Sequence, residues 1–280
     1  MQPSGWPSAA WRAVRSLLLT FGSVYVFFLF YLWFFGDSLV FYPPPSSYRD
    51  SARILKIPGR DGLRFSAVYL PNPAAPYTLL FTHGNAEDIG HNFDYLERMQ
   101  AAGFSVFAWD YRGYGTSEGR PSEQALYQDS EAAYEYLTTT LKVPPDRVIP
   151  LGRSLGGAAA IHIAAHRPVA ALILESTFTS GQKMLTPVRI FPFDRYLNLE
   201  RLQEVRCPVL VIHGTADTTI PFRHGETLFA AANHPKQSWW VSGAGHNDLY
   251  YTAGAEYERQ LRDFTAWVEQ LQGAAGASRP

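Results

Sequence analysis

Residues 147–157 read Arg147-Val148-Ile149-Pro150-Leu151-Gly152-Arg153-Ser154-Leu155-Gly156-Gly157, and a run of small residues, 158–165, follows. An apolar run, a glycine-bounded turn and a small-residue helix make a strand–turn–helix unit. The turn fits G-x-S-x-G, in which glycines let the chain bend sharply enough to lift a serine hydroxyl clear of a sheet edge. Glycine and serine are common, so the pattern is weak alone and gains its weight from its company. His213-Gly214-Thr215-Ala216-Asp217 ends a second apolar run, and Gly243-Ala244-Gly245-His246 follows a third. A serine, an acid and a histidine, in that order and each just past a strand, are the parts of a nucleophilic triad.

Outward from this unit, short apolar runs alternate with helical patterns. Strands are expected at 53–57, 63–70, 78–82, 105–110, 148–151, 171–175, 209–213 and 238–241, the first two joined by a turn at 59–62. Helices fit at 92–102, 121–141, 223–232 and 256–272. Short buried strands alternating with helices imply an α/β fold with a doubly wound, mostly parallel eight-stranded sheet. No internal repeat is visible. The stretch 177–206, rich in Phe, Leu and Pro, reads as a short lid over an open site. The tail 273–280 reads as disordered.

Composition excludes several function classes. A chain of 280 residues can hold one large α/β domain. Its net charge of −1 gives no footprint for a nucleic-acid partner. The single cysteine, Cys207, excludes an internal disulfide framework and reads as a small buried hydrophobe. None of the eight histidines falls in H-E-x-x-H or another metal-ligand spacing, so no metal is expected. The glycines at 113, 115 and 119 match neither a P-loop nor a dinucleotide fingerprint and read as turn residues.

The N-terminal segment carries a separate signal. Residues 17–35 contain no charge and are dominated by Leu, Phe, Val, Tyr and Trp. Nineteen helical residues span about 28 Å, close to the hydrocarbon thickness of a bilayer. Trp6, Trp11, Trp33 and Tyr42 flank the run as interface anchors. The segment is therefore expected to be one transmembrane helix, with a lipid bilayer as partner through 17–35. A cleaved signal peptide is the alternative, but its apolar region is normally shorter and no A-x-A-like site follows Phe35. Arg12 and Arg15 stand just before the span, so the N-terminus is expected in the cytoplasm and the domain outside it, in the periplasm if the source is bacterial. The expected organisation is an anchor at 1–40, a stiff Pro-rich linker at 41–52 and a catalytic domain at 53–272.

Ser154 is the expected nucleophile. A serine hydroxyl is weak at neutral pH and needs an adjacent base, here His246. Asp217 is expected to orient that imidazole and stabilise its protonated form. Glu175, at the end of an earlier strand, also lies between Ser154 and His246 in sequence and competes for the acid's role. Acyl transfer needs donors aimed at the developing oxyanion. The backbone N–H of Leu155 is one candidate, and that of Asn85, in His83-Gly84-Asn85-Ala86, is the other, with Ala86 as its neighbouring alternative. Phe178, Met184, Leu185, Ile190, Phe191, Phe193 and Leu197 supply apolar lid surface for an acyl chain. Packing of the lid onto the sheet is the competing use of the same side chains.

These residues together resemble the α/β-hydrolase superfamily. More narrowly, the chain is similar to the membrane-associated α/β-hydrolase-domain-containing serine hydrolases, which include the protein depalmitoylases. The similarity runs over 41–267. It rests on Tyr42-Pro43-Pro44-Pro45, His83-Gly84-Asn85-Ala86, Asp110-Tyr111-Arg112-Gly113-Tyr114-Gly115 and Gly119-Arg120-Pro121-Ser122, the serine turn, His213-Gly214-Thr215-Ala216-Asp217 and Gly243-Ala244-Gly245-His246-Asn247-Asp248. The resemblance implies the α/β-hydrolase fold and hydrolysis of ester or thioester bonds on lipid-like acyl groups, with no cofactor. A serine peptidase and a non-catalytic binding protein that kept the hydrolase shape are the alternative functions.

Overall fold

The computed structural model describes residues 8–186 and 190–277. The chain divides into two units, Met1–Val40 and Phe41–Pro280. The first holds a helix, α1 (Ser8–Val40). Within it, Ala9–Val40 is long and apolar enough to cross a membrane, with a window of mean hydropathy 2.0. Its large side chains, Phe21, Phe27 and Phe34 among them, are exposed.

The second unit is built on an eight-stranded sheet. Its strands are β1 (Leu55–Pro58), β2 (Arg64–Leu70), β3 (Thr78–Thr82), β4 (Ser105–Trp109), β5 (Val148–Arg153), β6 (Leu172–Glu175), β7 (Val209–Gly214) and β8 (Lys236–Val241). They lie in the order β1-β2-β4-β3-β5-β6-β7-β8. β2 runs antiparallel to both neighbours, and every pairing from β4 to β8 is parallel. β3, β4 and β6 are buried along their whole length, as strands covered on both faces must be.

Helices cover both faces. They are α2 (Phe93–Ala101), α3 (Glu123–Glu135), α4 (Gly156–His166), α5 (Gly181–Leu185), α6 (Asn198–Leu202), α7 (Arg223–Ala231), α8 (Leu249–Ala253) and α9 (Ala255–Ala277). One core cluster sets Leu96 and Met99 of α2 and Tyr257, Leu261, Phe264 and Val268 of α9 against Phe81, Leu151 and Ile173 of the sheet. The α9 residues recur at helical spacing, and each such buried side chain contributes about 1.5–3 kcal/mol. On the opposite face Ile161 of α4, Leu202 of α6 and Leu228 of α7 pack on Leu172, Leu174 and Val211.

Three boundaries differ from the sequence reading. The helix expected over 121–141 is α3 followed by a π-turn at Tyr136–Thr140. α9 runs to Ala277, past the expected end at 272, while 278–280 lie outside the described residues. Residues 41–52, expected as a linker, have no regular backbone structure yet are tied to the domain by side chains far away in sequence. The register aligns Arg153, Glu175, Ile212 and Trp239 across four strands. The loops that carry the candidate site therefore leave one edge of the sheet together, the usual location of a ligand site in parallel α/β proteins.

Candidate active site

Ser154 follows β5 directly and begins the turn into α4. Its φ of 53° lies in the left-handed region, which a non-glycine residue occupies at a cost of roughly 1–3 kcal/mol. The surrounding structure holds it there. Its N–H donates to the Glu175 carbonyl at 2.9 Å, and its own carbonyl accepts from Thr177 Oγ1 at 2.6 Å. The flanking glycines leave no room for a side chain. A Cβ on Gly152 would collide with the Gly156 carbonyl, one on Gly156 with the Thr82 carbonyl, and one on Gly157 with Thr177. The turn is tight because backbone packs on backbone there.

His246 enters on the loop after β8, and its Nε2 lies 3.0 Å from Ser154 Oγ. Its Nδ1 lies 2.8 Å from Asp217 Oδ2. The second oxygen of Asp217 accepts the N–H groups of Thr219 at 2.9 Å and Ile220 at 2.8 Å. Burial pushes this carboxyl up, but His213, His246 and the Ile220 N–H stabilise its ionised form and hold it well below the usual carboxylate range. With Asp217 accepting at Nδ1, the imidazole keeps its free nitrogen toward the serine. Glu175 is placed elsewhere: its Oε2 accepts a short hydrogen bond from Tyr257, which also meets Tyr95 at 3.0 Å.

His213 is a member of the site that the sequence reading passed over. It is fully buried, with Nε2 2.8 Å from the Ile220 carbonyl and 3.4 Å from Asp217 Oδ2. It thus braces the loop that carries Asp217. The only local hint was its place immediately before the Gly214 turn.

The loop 83–90, between β3 and α2, faces the serine turn, and a Cβ on Gly84 would stand 3.5 Å from Ser154 Cβ. The Leu155 N–H, at the start of α4, has no hydrogen-bond acceptor among the described residues. The Ala86 N–H donates to Asn85 Oδ1 at 2.9 Å. Asn85 Oδ1 also accepts from the Tyr114 hydroxyl at 2.6 Å. Glu87 takes the Gly84 N–H at 2.5 Å and both its oxygens meet Arg153 Nη2 at 2.6 Å. Arg153 continues to Asn92 Oδ1 at 2.5 Å. Burial pushes the Glu87 carboxyl up, but the Arg153 charge and hydrogen bonds bring it below the ordinary range. Glu87 and Arg153 therefore clamp the loop to the residue before the serine. Arg153 lies inside the serine turn and Glu87 directly follows His83-Gly84-Asn85-Ala86, but nothing local paired them.

The lid residues divide. Phe178 is buried edge-on against Tyr196, so it packs the lid base rather than facing solvent. Phe191 and Phe193 stack with ring centres 6.5 Å apart, Met184 is partly buried, and Ile190 is exposed. The Leu185 side chain lies outside the described residues. Leu197 lines a cavity of about 440 Å³ with Thr179, Ser180 and Lys183. Ser154 and His246 do not line that cavity, and both are partly buried at the surface.

Residues 74–198 match the family described as serine aminopeptidase, S33. The α/β-hydrolase domain-containing protein 17B of Xenopus laevis is 40% identical over 197 residues, covering 69% of this chain and 68% of the relative. Its human counterpart is 39% identical over 198 residues, covering 70% and 68%. Among solved structures, the Pyrococcus furiosus esterase Pf2001 superposes with a TM-score of 0.66 at 17% identity, covering 79% of this chain and 97% of the esterase. The superposition shows a shared fold, and the sequence identity over two thirds of the relatives' length shows the family: this chain belongs to the α/β-hydrolase superfamily, among the α/β-hydrolase domain-containing proteins.

Proposed function

We propose that this hydrolase is a membrane-anchored serine enzyme that cleaves carboxylic ester or thioester bonds of lipid-like acyl substrates. The carrying observation is the continuous hydrogen-bond chain from Ser154 Oγ through His246 to Asp217. In this reading His246 Nε2 takes the serine proton as Oγ attacks the acyl carbonyl carbon. Negative charge gathers on the carbonyl oxygen, where the Leu155 N–H and the Asn85 loop act as donors. Collapse of the intermediate breaks the bond to the alcohol or thiol, which leaves with the proton from His246. Water then attacks the acyl-enzyme, giving up a proton to His246, and the acid departs as Ser154 is restored. Side chains and water supply every proton and electron pair in this sequence.

The apolar α1 supports the membrane part of the reading, and Arg12 and Arg15 before the span favour a cytoplasmic N-terminus with the catalytic unit on the other side. An open site, away from the lid cavity, suits an acyl group presented at a lipid surface. The test is labelling with a fluorophosphonate probe, followed by turnover of p-nitrophenyl esters and acyl thioesters. Wild type should label and hydrolyse; Ser154→Ala should lose labelling and about six orders of magnitude in kcat. Turnover near wild type in that variant would sink the mechanism. The serine peptidase reading takes support from the description of the matching family, and faster cleavage of amino-acid anilides than of esters would favour it. Removal of residues 1–40, at the boundary of the two units, should release a detergent-free domain that keeps its kcat on short soluble esters. A full-length protein that partitions into buffer with its N-terminus intact would refute the anchor.

A further inference from the structure

We propose that residues 41–48 are a strap that positions the oxyanion loop, rather than a passive tether between helix and domain. The proposal rests on the reading of Ser154 as nucleophile. The strap is held through four of its residues, by the segments that follow β3 and β4 and by Tyr196. Phe41 is 4% exposed, and its ring meets those of Tyr111, Tyr114 and Tyr196 at 6.2–6.4 Å. The next residue donates its backbone N–H to Asn85 Oδ1 at 3.1 Å and to the Tyr114 hydroxyl at 2.9 Å. Further on, Ser47 donates its N–H to Asp88 Oδ2 at 2.8 Å and its hydroxyl to Asp88 Oδ1. Finally the Tyr48 hydroxyl donates to Asp110 Oδ2 at 2.5 Å, while Asp110 Oδ1 accepts the Ile89 N–H at 2.7 Å.

The contacts converge on 85–89. Asn85 is the residue whose oxygen collects the Tyr42 N–H, the Tyr114 hydroxyl and the Ala86 N–H at once. That collection fixes the peptide planes on either side of Asn85, and so the direction in which the loop aims its donors. Gly90 records how close the strap lies: a Cβ there would collide with Ser47 and stand 2.9 Å from Tyr48. An oxyanion donor acts only when held at the right place before reaction. Without the Tyr42 N–H the Asn85 amide oxygen loses one of the donors named above, and the loop can turn. The side chain of Tyr42 is itself 59% exposed, so its contribution to the loop is the backbone N–H.

This last point gives a selective test in the full-length protein in detergent. Tyr42→Pro deletes the N–H in a segment that already continues Pro43-Pro44-Pro45, and Tyr42→Ala keeps the N–H while removing the ring. With a short soluble ester, kcat of Tyr42→Pro should fall about ten- to a hundredfold below that of Tyr42→Ala, with KM within about twofold, because a loosened donor penalises the transition state more than the bound ester. Fluorophosphonate labelling of Ser154 should persist but slow by a similar factor. Equal kcat and equal labelling rates in the two variants, with Tm unchanged, would overturn the strap while leaving the nucleophile assignment intact. Loss of all labelling in wild type would instead defeat the nucleophile assignment. Should Tyr42→Pro fail to fold, Tyr114→Phe decides. It removes the hydroxyl that bridges Tyr42 and Asn85 from inside the domain, and an unchanged kcat there would equally overturn the proposal.

Discussion

Glu175 and Asp217 invite comparison because the chain treats them so alike. Both leave the same sheet edge, from the adjacent parallel strands β6 and β7, and both fall between Ser154 and His246 in sequence. Their exposures are 2% and 5%, so accessibility does not separate them, although Glu175 lies deeper in the fold. Their partners do. Asp217 accepts two backbone N–H groups and faces two imidazoles, which favour its ionised form strongly enough to overcome burial. Glu175 meets the Tyr257 hydroxyl, and burial raises its carboxyl above the ordinary range despite the Arg153 charge nearby. Deeper burial with one hydroxyl donor at Glu175, against shallower burial with several donors at Asp217, yields one carboxylate that resists ionising and one suited to face a cation. The lesson is that position in the chain nominates two acids, and only their surroundings in the fold distinguish them.

The largest expected effect bears directly on that selection. Asp217→Asn presents a donor where His246 needs an acceptor and favours the wrong tautomer, so kcat should drop by about three to four orders of magnitude. Glu175→Gln, which keeps the size and a carbonyl oxygen for Tyr257, should cost less than about tenfold. Steady-state kinetics on one soluble ester settles the pair, and a larger loss at 175 would reverse the assignment.

A smaller effect concerns the region that neither carboxylate touches. If lid residues such as Phe191, Phe193 and Leu197 contact the acyl chain, each buried methylene contributes about 0.8 kcal/mol, and two more should raise kcat/KM roughly tenfold. A series of esters from about two to twelve acyl carbons, below their micelle concentrations, reads this directly. A steady fall in kcat/KM from acetyl onward would leave the lid with packing alone.

The smallest effect is on stability, and it has opposite signs at the two acids. The lowered Asp217 value means its contribution is present above the unfolded value of about 4 and lost as pH falls through the folded one. Asp217→Asn should therefore be less stable than wild type near neutrality and converge with it in acid. The raised Glu175 value means that its protonated form favours the fold below the unfolded value, a benefit lost as pH rises. Glu175→Gln should gain on wild type from acid toward neutral pH. Thermal melts across this range would show shifts of a few °C, at roughly 2–4 °C per kcal/mol for a domain of this size. Parallel curves for both variants would contradict the contrast between the two sites.

What the sequence by itself determined is local or periodic. The alternation of apolar runs and helical stripes specified the parallel sheet, because a strand covered on both faces must be apolar throughout. The Ser154 turn was legible because its glycines answer a demand made within a few residues: the Gly152 position abuts the Gly156 carbonyl. The apolar length of α1 was equally plain. The tertiary structure alone decided how distant groups were shared out. It gave Asp217 the imidazole and Glu175 the tyrosine, paired Glu87 with Arg153 across 66 positions, and set His213 behind the acid. It also turned residues 41–48 from an expected linker into a docked segment, through hydrogen bonds 41 to 72 positions away. Hydrogen bonds and ion pairs of that range depend on which strands lie side by side, and a linear pattern of polar residues carries no record of that.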